Sequence, residues 1–145
     1  MSLFGAGSRD DLRRSYATAW RKRLDGAPLS ALEALITDVI ALHPEYQSLV
    51  ADADAAQAFE ADPMQGRENP FLHMGLHLAV REQVAVDRPP GVRDLHRRLQ
   101  AQQTDLHAAE HVLVEALAQT LWEAQRGGRP PDEGTYLQRA RRALR

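Results

Sequence analysis

Signals that start and end α-helices recur along the whole chain of 145 residues, and they constrain its fold more than any other feature. Ser30 followed by Glu33 is a capping box, Asn69 before Pro70 is a helix start, and the glycine pair that ends at Gly128 is a helix stop. Between these signals the sequence is rich in leucine, alanine, arginine, glutamate and glutamine, and it lacks the apolar-polar alternation typical of β-strands. The sequence therefore predicts an all-α protein.

The spacing of these signals predicts a single-domain helical bundle over residues 1–145, with about five to six helices and a short helical piece. We expect the helices over about residues 8–25, 30–43, 69–87, 92–103, 105–126 and 132–144, and the short piece over 45–52. Residues 44–68 contain a polar, acidic excursion and form a candidate irregular lid. The apolar stripe expected to face inward from the second helix consists of Leu32, Leu35, Ile36, Val39 and Leu42.

The composition excludes several classes of protein. The chain has no cysteine, which rules out thiolate catalysis, a disulfide scaffold and cysteine-ligated zinc or iron–sulfur sites. Its formal net charge of -2 gives no general attraction to nucleic acid or to an anionic membrane surface. The N-terminal residues do not resemble a signal peptide, and no stretch approaches the roughly 20 apolar residues of a membrane span. We therefore expect a cytoplasmic protein without nucleic-acid or membrane partners.

Five of the six histidines fall where a helix directs them inward. His43 ends the apolar stripe of the second helix, and the other four form the pairs His73/His77 and His107/His111. Residues four apart on a helix are separated by about 40° around the axis and roughly 6 Å along it, so each pair can bind one ion. The spacing thus predicts a buried metal site.

Counting helical turns predicts that these histidines meet at one end of the bundle. The third helix starts where the second stops and rises about 21 Å, and the fourth returns the chain by about 18 Å. The fifth helix then starts at the same end, with His107 and His111 in its first two turns, and Glu110 adds a carboxylate to the same inward strip. Burial of these polar side chains is costly unless something compensates for their desolvation, which favours a divalent metal ion.

Two arrangements of the metal remain open. In the first, all five histidines with Glu110 and Glu45 hold a dinuclear centre, similar in ligand count to hemerythrin, although a different ligand order means that oxygen carriage is not implied. In the second, His43, His107 and His111 hold one ion, which resembles the helical bundles of the DinB and mycothiol-dependent enzyme group, and the other two histidines face the substrate or support the ligands. Either non-haem site suits iron, manganese or zinc.

A resemblance that covers nearly the whole chain rests on five strings in combination. These are HPEY at His43–Tyr46, NPFLHMGLH at Asn69–His77, REQVAVDRPPG at Arg81–Gly91, HAAEH at His107–His111 and LWEAQ at Leu121–Gln125. They resemble the bacterial family catalogued as domain of unknown function 1841. The resemblance implies a small helical cytoplasmic protein and brings no activity, substrate or catalytic residue.

The sequence leaves the class of function open. In the enzymatic interpretation, a metal with an open position activates water, dioxygen or a thiol for oxidoreductase or hydrolase chemistry, while Glu110 or Glu45 accepts a proton. In the alternative, the protein is a metal or oxygen sensor or an interaction module without catalysis. A third interpretation is a metal-free bundle with structural histidines. A small molecule at the metal and a homodimer through exposed helix faces are compatible with these interpretations.

The other polar and aromatic residues are interpreted mainly as structural. Arg81 is expected to pair with a carboxylate, and Trp20 and Trp122 to act as packing anchors in the core. Tyr46 lies in the candidate lid, where packing or solvation is favoured over proton transfer. His96, between charged neighbours, is expected on the solvated surface.

Overall fold

The computed structural model describes residues 9–52, 69–103 and 105–145, and this part of the chain contains helices and connecting turns with no β-strand. The helices are α1 (Arg9–Leu24), α2 (Ala31–Ala41), α3 (Pro44–Ala51), α4 (Pro70–Val86), α5 (Val92–Gln102), α6 (Leu106–Gly127) and α7 (Glu133–Arg141). Each begins within one residue of its expected start. The all-α prediction is confirmed. Residues 53–68 of the candidate lid lie outside the described residues.

The chain divides into two compact units, Met1–Leu78 and Ala79–Arg145, with the boundary inside α4. In the first unit α1 packs against α2 and α3, and α2 also packs against α3. In the second unit α6 packs against α5 and α7, and α5 packs against α7. None of the helices described has both the length and the apolar composition of a membrane span.

Aromatic residues anchor the core of the first unit. Tyr16 stacks on Phe71 with 5.7 Å between ring centroids, and burial raises the pKa of the Tyr16 phenol to about 12. Trp20 is also buried, as expected. Around these rings pack the buried residues Ala19, Ile36, Val39, Ile40, Val50, Met74 and Leu78. Burial of this apolar surface positions the end of α2 and the start of α4 in one core.

The start of α2 is held by the predicted capping box. The Ser30 hydroxyl accepts a hydrogen bond from the Glu33 backbone N–H at 3.1 Å, and Glu33 Oε1 accepts one from the Ser30 N–H at 2.9 Å. The other Glu33 oxygen lies 2.8 Å from Lys22 Nζ on α1. One carboxylate therefore caps α2 and ties it to α1.

The predicted inward stripe of α2 is only partly correct. Ile36 and Val39 are buried, together with Ile40, which was outside the stripe. The leucines of the stripe are exposed, namely Leu32, Leu35 and Leu42. Apolar residues cover more than half of the circumference of α2, and only the sector that includes Ile36 and Ile40 packs into the core.

The second unit has its own buried layer. The residues buried in this unit include Val92, Leu95, Leu99, Leu113, Leu117, Tyr136 and Leu137. The Tyr136 hydroxyl donates a hydrogen bond to Gln83 Oε1 at 2.6 Å, and burial raises the pKa of this phenol. The expectation that Trp122 is a core anchor was wrong: its side chain is 56% exposed, and the Arg126 guanidinium lies 4.7 Å from its ring centroid.

Candidate metal centre

His43 lies in the break between α2 and α3, where Pro44 begins the next helix. Its backbone N–H donates to the Ile40 carbonyl at 3.0 Å, and its ring is buried. Nδ1 lies 2.8 Å from the Val39 carbonyl oxygen. Because a carbonyl oxygen only accepts, Nδ1 carries the proton of the neutral ring and Nε2 carries the lone pair. The end of α2 thus sets the tautomer in which Nε2 is the nitrogen that could hold a metal.

His73 and His77 lie one turn apart near the start of α4. Asn69 caps this helix, because its Oδ1 accepts hydrogen bonds from the N–H groups of Phe71 at 3.1 Å and Leu72 at 3.3 Å. His77 is fully buried, whereas His73 is half-buried. Their Nε2 atoms lie 3.1 Å apart, in a contact where one imidazole donates and the other accepts. The predicted pair therefore directs both Nε2 atoms to the same point.

These three histidines form a compact group, the histidine trio of His43, His73 and His77. The ring centroid of His43 lies 5.0 Å from that of His73 and 4.8 Å from that of His77, and the two rings of α4 are 4.7 Å apart. The planes meet at 66–82°, so the rings meet edge to face. One nitrogen of each ring lies within 4.8 Å of those of the other two.

The spacing of the trio fits one divalent ion. With metal–nitrogen bonds of about 2.1 Å, two nitrogens on adjacent positions lie about 3.0–3.4 Å apart and their ring centroids about 4.6–5.3 Å apart. The 3.1 Å separation of the two Nε2 atoms on α4 and the centroid distances of 4.7–5.0 Å fall within these ranges. The geometry of the trio is therefore compatible with one shared ion, for which the His43 nitrogen lies within 4.8 Å of the other two.

Tyr46 packs against the trio. Its ring is nearly parallel to that of His43, at 9° and 5.3 Å between centroids, and it meets His73 edge-on at 6.3 Å. Tyr46 is three residues after His43, and this spacing brings side chains at the start of a helix together. The three-residue spacing of His43 and Tyr46 is visible in the sequence, but the sequence analysis did not predict that Tyr46 contacts both His43 and His73.

The remaining predicted ligands lie at the start of α6, in the second unit. Asp105 caps this helix by accepting a hydrogen bond from the His107 N–H at 2.9 Å. The rings of His107 and His111 stack at 5.5 Å with 19° between their planes, and both are half-buried. Glu110 is buried, and one of its oxygens lies within 4.8 Å of a ring nitrogen of His107. The spacing prediction that these three residues share one helix face is supported by these contacts.

Arg81 pairs with Glu110 in a two-point contact, as the sequence analysis expected of Arg81. Its Nε lies 2.8 Å from Glu110 Oε1, and its Nη2 lies 3.2 Å from Oε2. This contact sets the orientation of the carboxylate and balances its charge. Glu45, the other candidate proton acceptor, is exposed in the first turn of α3.

His96 does not lie on the solvated surface, and that expectation was wrong. Its side chain is half-buried on α5. Burial lowers the pKa of its ring, the Glu110 carboxylate acts in the opposite direction, and the Arg81 guanidinium lowers it further. The prediction failed because its charged sequence neighbours, Arg97 and Arg98, point into solvent while His96 lies beside the buried Leu95 and Leu99.

Comparison with protein families agrees with the five sequence strings. The family described as Domain of unknown function (DUF1841) matches residues 8–142. The chain belongs to this family. The residues that match DUF1841 include both groups of histidines. The description of the family names no activity. No curated protein and no solved structure matches the chain.

Proposed function

We propose that this protein binds a divalent metal ion through the Nε2 atoms of His43, His73 and His77. The observation that supports the proposal is the mutual approach of the three rings, with centroids 4.7–5.0 Å apart and planes at steep angles. Aromatic rings also pack edge to face without a metal, so the proposal rests on the convergence of the ring nitrogens, one from each ring within 4.8 Å of the others. The helix-bundle setting and the DUF1841 membership are compatible with this function.

The surroundings of the trio support ligand chemistry. Metal-ligating histidines usually donate their second ring N–H to a carbonyl or carboxylate, which orients the ring and raises the basicity of the ligand. His43 makes this bond to the Val39 carbonyl at 2.8 Å. A bound ion would also compensate the desolvation of two buried rings, those of His43 and His77.

The nitrogen-rich ligand set and the absence of cysteine favour iron, manganese or zinc. Three protein ligands are the number that catalytic zinc sites use, and they leave coordination positions for water or a small molecule. We therefore favour metal-assisted hydrolysis or oxidation over a sensor or interaction module, in which the ion would be saturated by protein ligands. Contributions of Glu110 and Glu45 as proton acceptors stay predictions, as does a cytoplasmic location.

Participation of His107, Glu110 and His111 in the same centre also stays a prediction from turn counting. A dinuclear centre needs ligands beyond the trio, and the mononuclear set of His43, His107 and His111 also draws on the start of α6. The number of ions per chain, together with metal loss in His111→Ala, therefore tests this participation.

The experiment uses protein purified without an affinity tag and supplemented with iron, manganese and zinc. We expect at least about one ion per chain by elemental analysis, and loss of that ion in His43→Ala and His77→Ala. His96→Ala is the matched control, because it removes a half-buried histidine outside the predicted set, and it should keep the metal. His111→Ala tests whether the start of α6 supplies a ligand to the metal. Substoichiometric metal after supplementation, unchanged by His77→Ala, would overturn the proposal.

A further inference from the structure

We propose that the ion of the histidine trio binds a small anion from solution in preference to a neutral ligand of the same size. This inference rests on the proposed function, since it concerns the coordination position that the trio leaves. It names the class of substrate or inhibitor: a small monoanion with an oxygen or nitrogen donor, such as a carboxylate or bicarbonate.

The charge of the ligands carries the inference. Imidazoles that bind through one nitrogen and keep the proton on the other are neutral, and the Nδ1 bond of His43 to Val39 holds this form. An ion on the trio therefore keeps its full charge of about +2. The carboxylate that the sequence analysis adds to the ligand set, Glu110, is paired with Arg81, so that pair brings no net charge.

Burial makes that charge effective. His43 and His77 are 5% and 0% exposed, so an ion on their Nε2 atoms is largely removed from water. Coulomb attraction to an anion grows as the effective dielectric falls from that of water to that near or inside a protein. An anion at the ion therefore gains far more than a neutral molecule of equal shape.

The trio has an accessible side. His73 is half-buried, in contrast to the other two rings, and Tyr46, also half-buried, meets His73 edge-on at 6.3 Å. The Tyr46 ring stacks on His43 and covers it. We therefore expect a ligand from solution to reach the ion on the side of His73, whose side chain is the most exposed of the three.

The test uses the full chain loaded with Co²⁺, whose visible spectrum reports the ligands of the ion. The protein is titrated with acetate and with acetamide, which match in size and differ in charge. Azide serves as a second anion, and perchlorate keeps the ionic strength constant. We expect saturable spectral changes with acetate and azide, at concentrations at least about tenfold below those at which acetamide acts.

The outcomes separate the two proposals. If the Co²⁺ spectrum depends on His77 but acetate and azide leave it unchanged, or acetamide acts as strongly as acetate, the anion site is overturned and the metal site stands. If Co²⁺ does not bind, or binds equally to the His77→Ala variant, both are overturned. His96→Ala should give the same titrations as the unmodified chain.

Discussion

At the scale of single residues, the backbone around His43 sets the orientation of its ring. The break between α2 and α3 directs its Nδ1 to the Val39 carbonyl at 2.8 Å, and the Tyr46 ring stacks on its face. Sequence periodicity placed His43 at the end of a helix, but the choice of nitrogen follows from the turn that Pro44 begins. Which ring nitrogen of His43 bonds to the backbone could be learned only from the structure.

Removal of the Tyr46 ring should weaken both the fold and metal binding. Tyr46→Ala should lower the free energy of unfolding by about 1–3 kcal/mol, because it loses buried area and the stack on His43. It should also lower metal affinity about tenfold, since the ligand ring loses its support. Tyr46→Phe keeps the stack and is the control. Urea unfolding and a competitive metal titration measure the two effects; equal losses in Phe and Ala variants would contradict the role of the ring.

His96 should make the stability of the protein depend on pH. Burial lowers the pKa of its ring from the usual value of 6.5, so below that pH the unfolded chain binds more protons than the folded chain. The stabilisation of the fold by neutral His96 is fully present above about pH 6.5. It is lost as the pH falls through the lowered pKa of the ring. We expect the free energy of unfolding, measured in urea between pH 5 and pH 8 in metal-free buffer, to fall less steeply with acid in His96→Gln. Parallel curves for both proteins would contradict this role.

At the scale of helices, most boundaries were predictable because local chemistry sets them. Ser30 with Glu33, Asn69, Asp105 and Gly128 each cap a helix as expected, since caps satisfy backbone groups within one turn. Which face of a helix is buried depends on its neighbours. For that reason the exposed leucines of α2 and the exposed Trp122 were assigned wrongly.

The capping box of α2 should contribute measurably to stability. Ser30→Ala should lower the free energy of unfolding by about 1 kcal/mol, because the Glu33 N–H loses its acceptor. Ser48→Ala, an exposed position within α3, is the matched control and should leave stability unchanged or slightly raised. Chemical unfolding of the three proteins gives the comparison, and equal behaviour of both variants would argue against the cap.

The contact between Arg81 on α4 and Glu110 on α6 should couple these helices energetically. In a double-mutant cycle of Arg81→Ala and Glu110→Ala, we expect a coupling of about 1–3 kcal/mol, since the pair is two-point and largely buried. Measurement in metal-free buffer separates this effect from ligand binding. The exposed pair Arg97–Asp94 should show a smaller coupling. Additive effects at Arg81 and Glu110 would show that the contact is not maintained in solution.

At the scale of the molecule, the sequence predicted the all-α class and, by turn counting, that His43 meets the pair His73/His77, but it did not predict the edge-to-face geometry of the three rings. Spacing alone gives the face of one helix, so the pair His73/His77 was accessible to sequence reasoning. The approach of His43 to that pair depends on the shared core around Tyr16 and Phe71, which brings the end of α2 to the start of α4. The two-point pairing of Glu110 likewise needed the position of Arg81 on another helix.

Binding of a divalent ion by the histidine trio, as proposed, can be measured directly. X-ray absorption of the zinc-loaded or iron-loaded protein measures the ligands directly, because multiple scattering from imidazole rings identifies histidine. We expect at least about three imidazole nitrogens at about 2.0–2.2 Å from the ion, and one fewer in any His77→Ala protein that retains metal. A spectrum with oxygen ligands and no imidazole scattering, or one unchanged by His77→Ala, would contradict the claim.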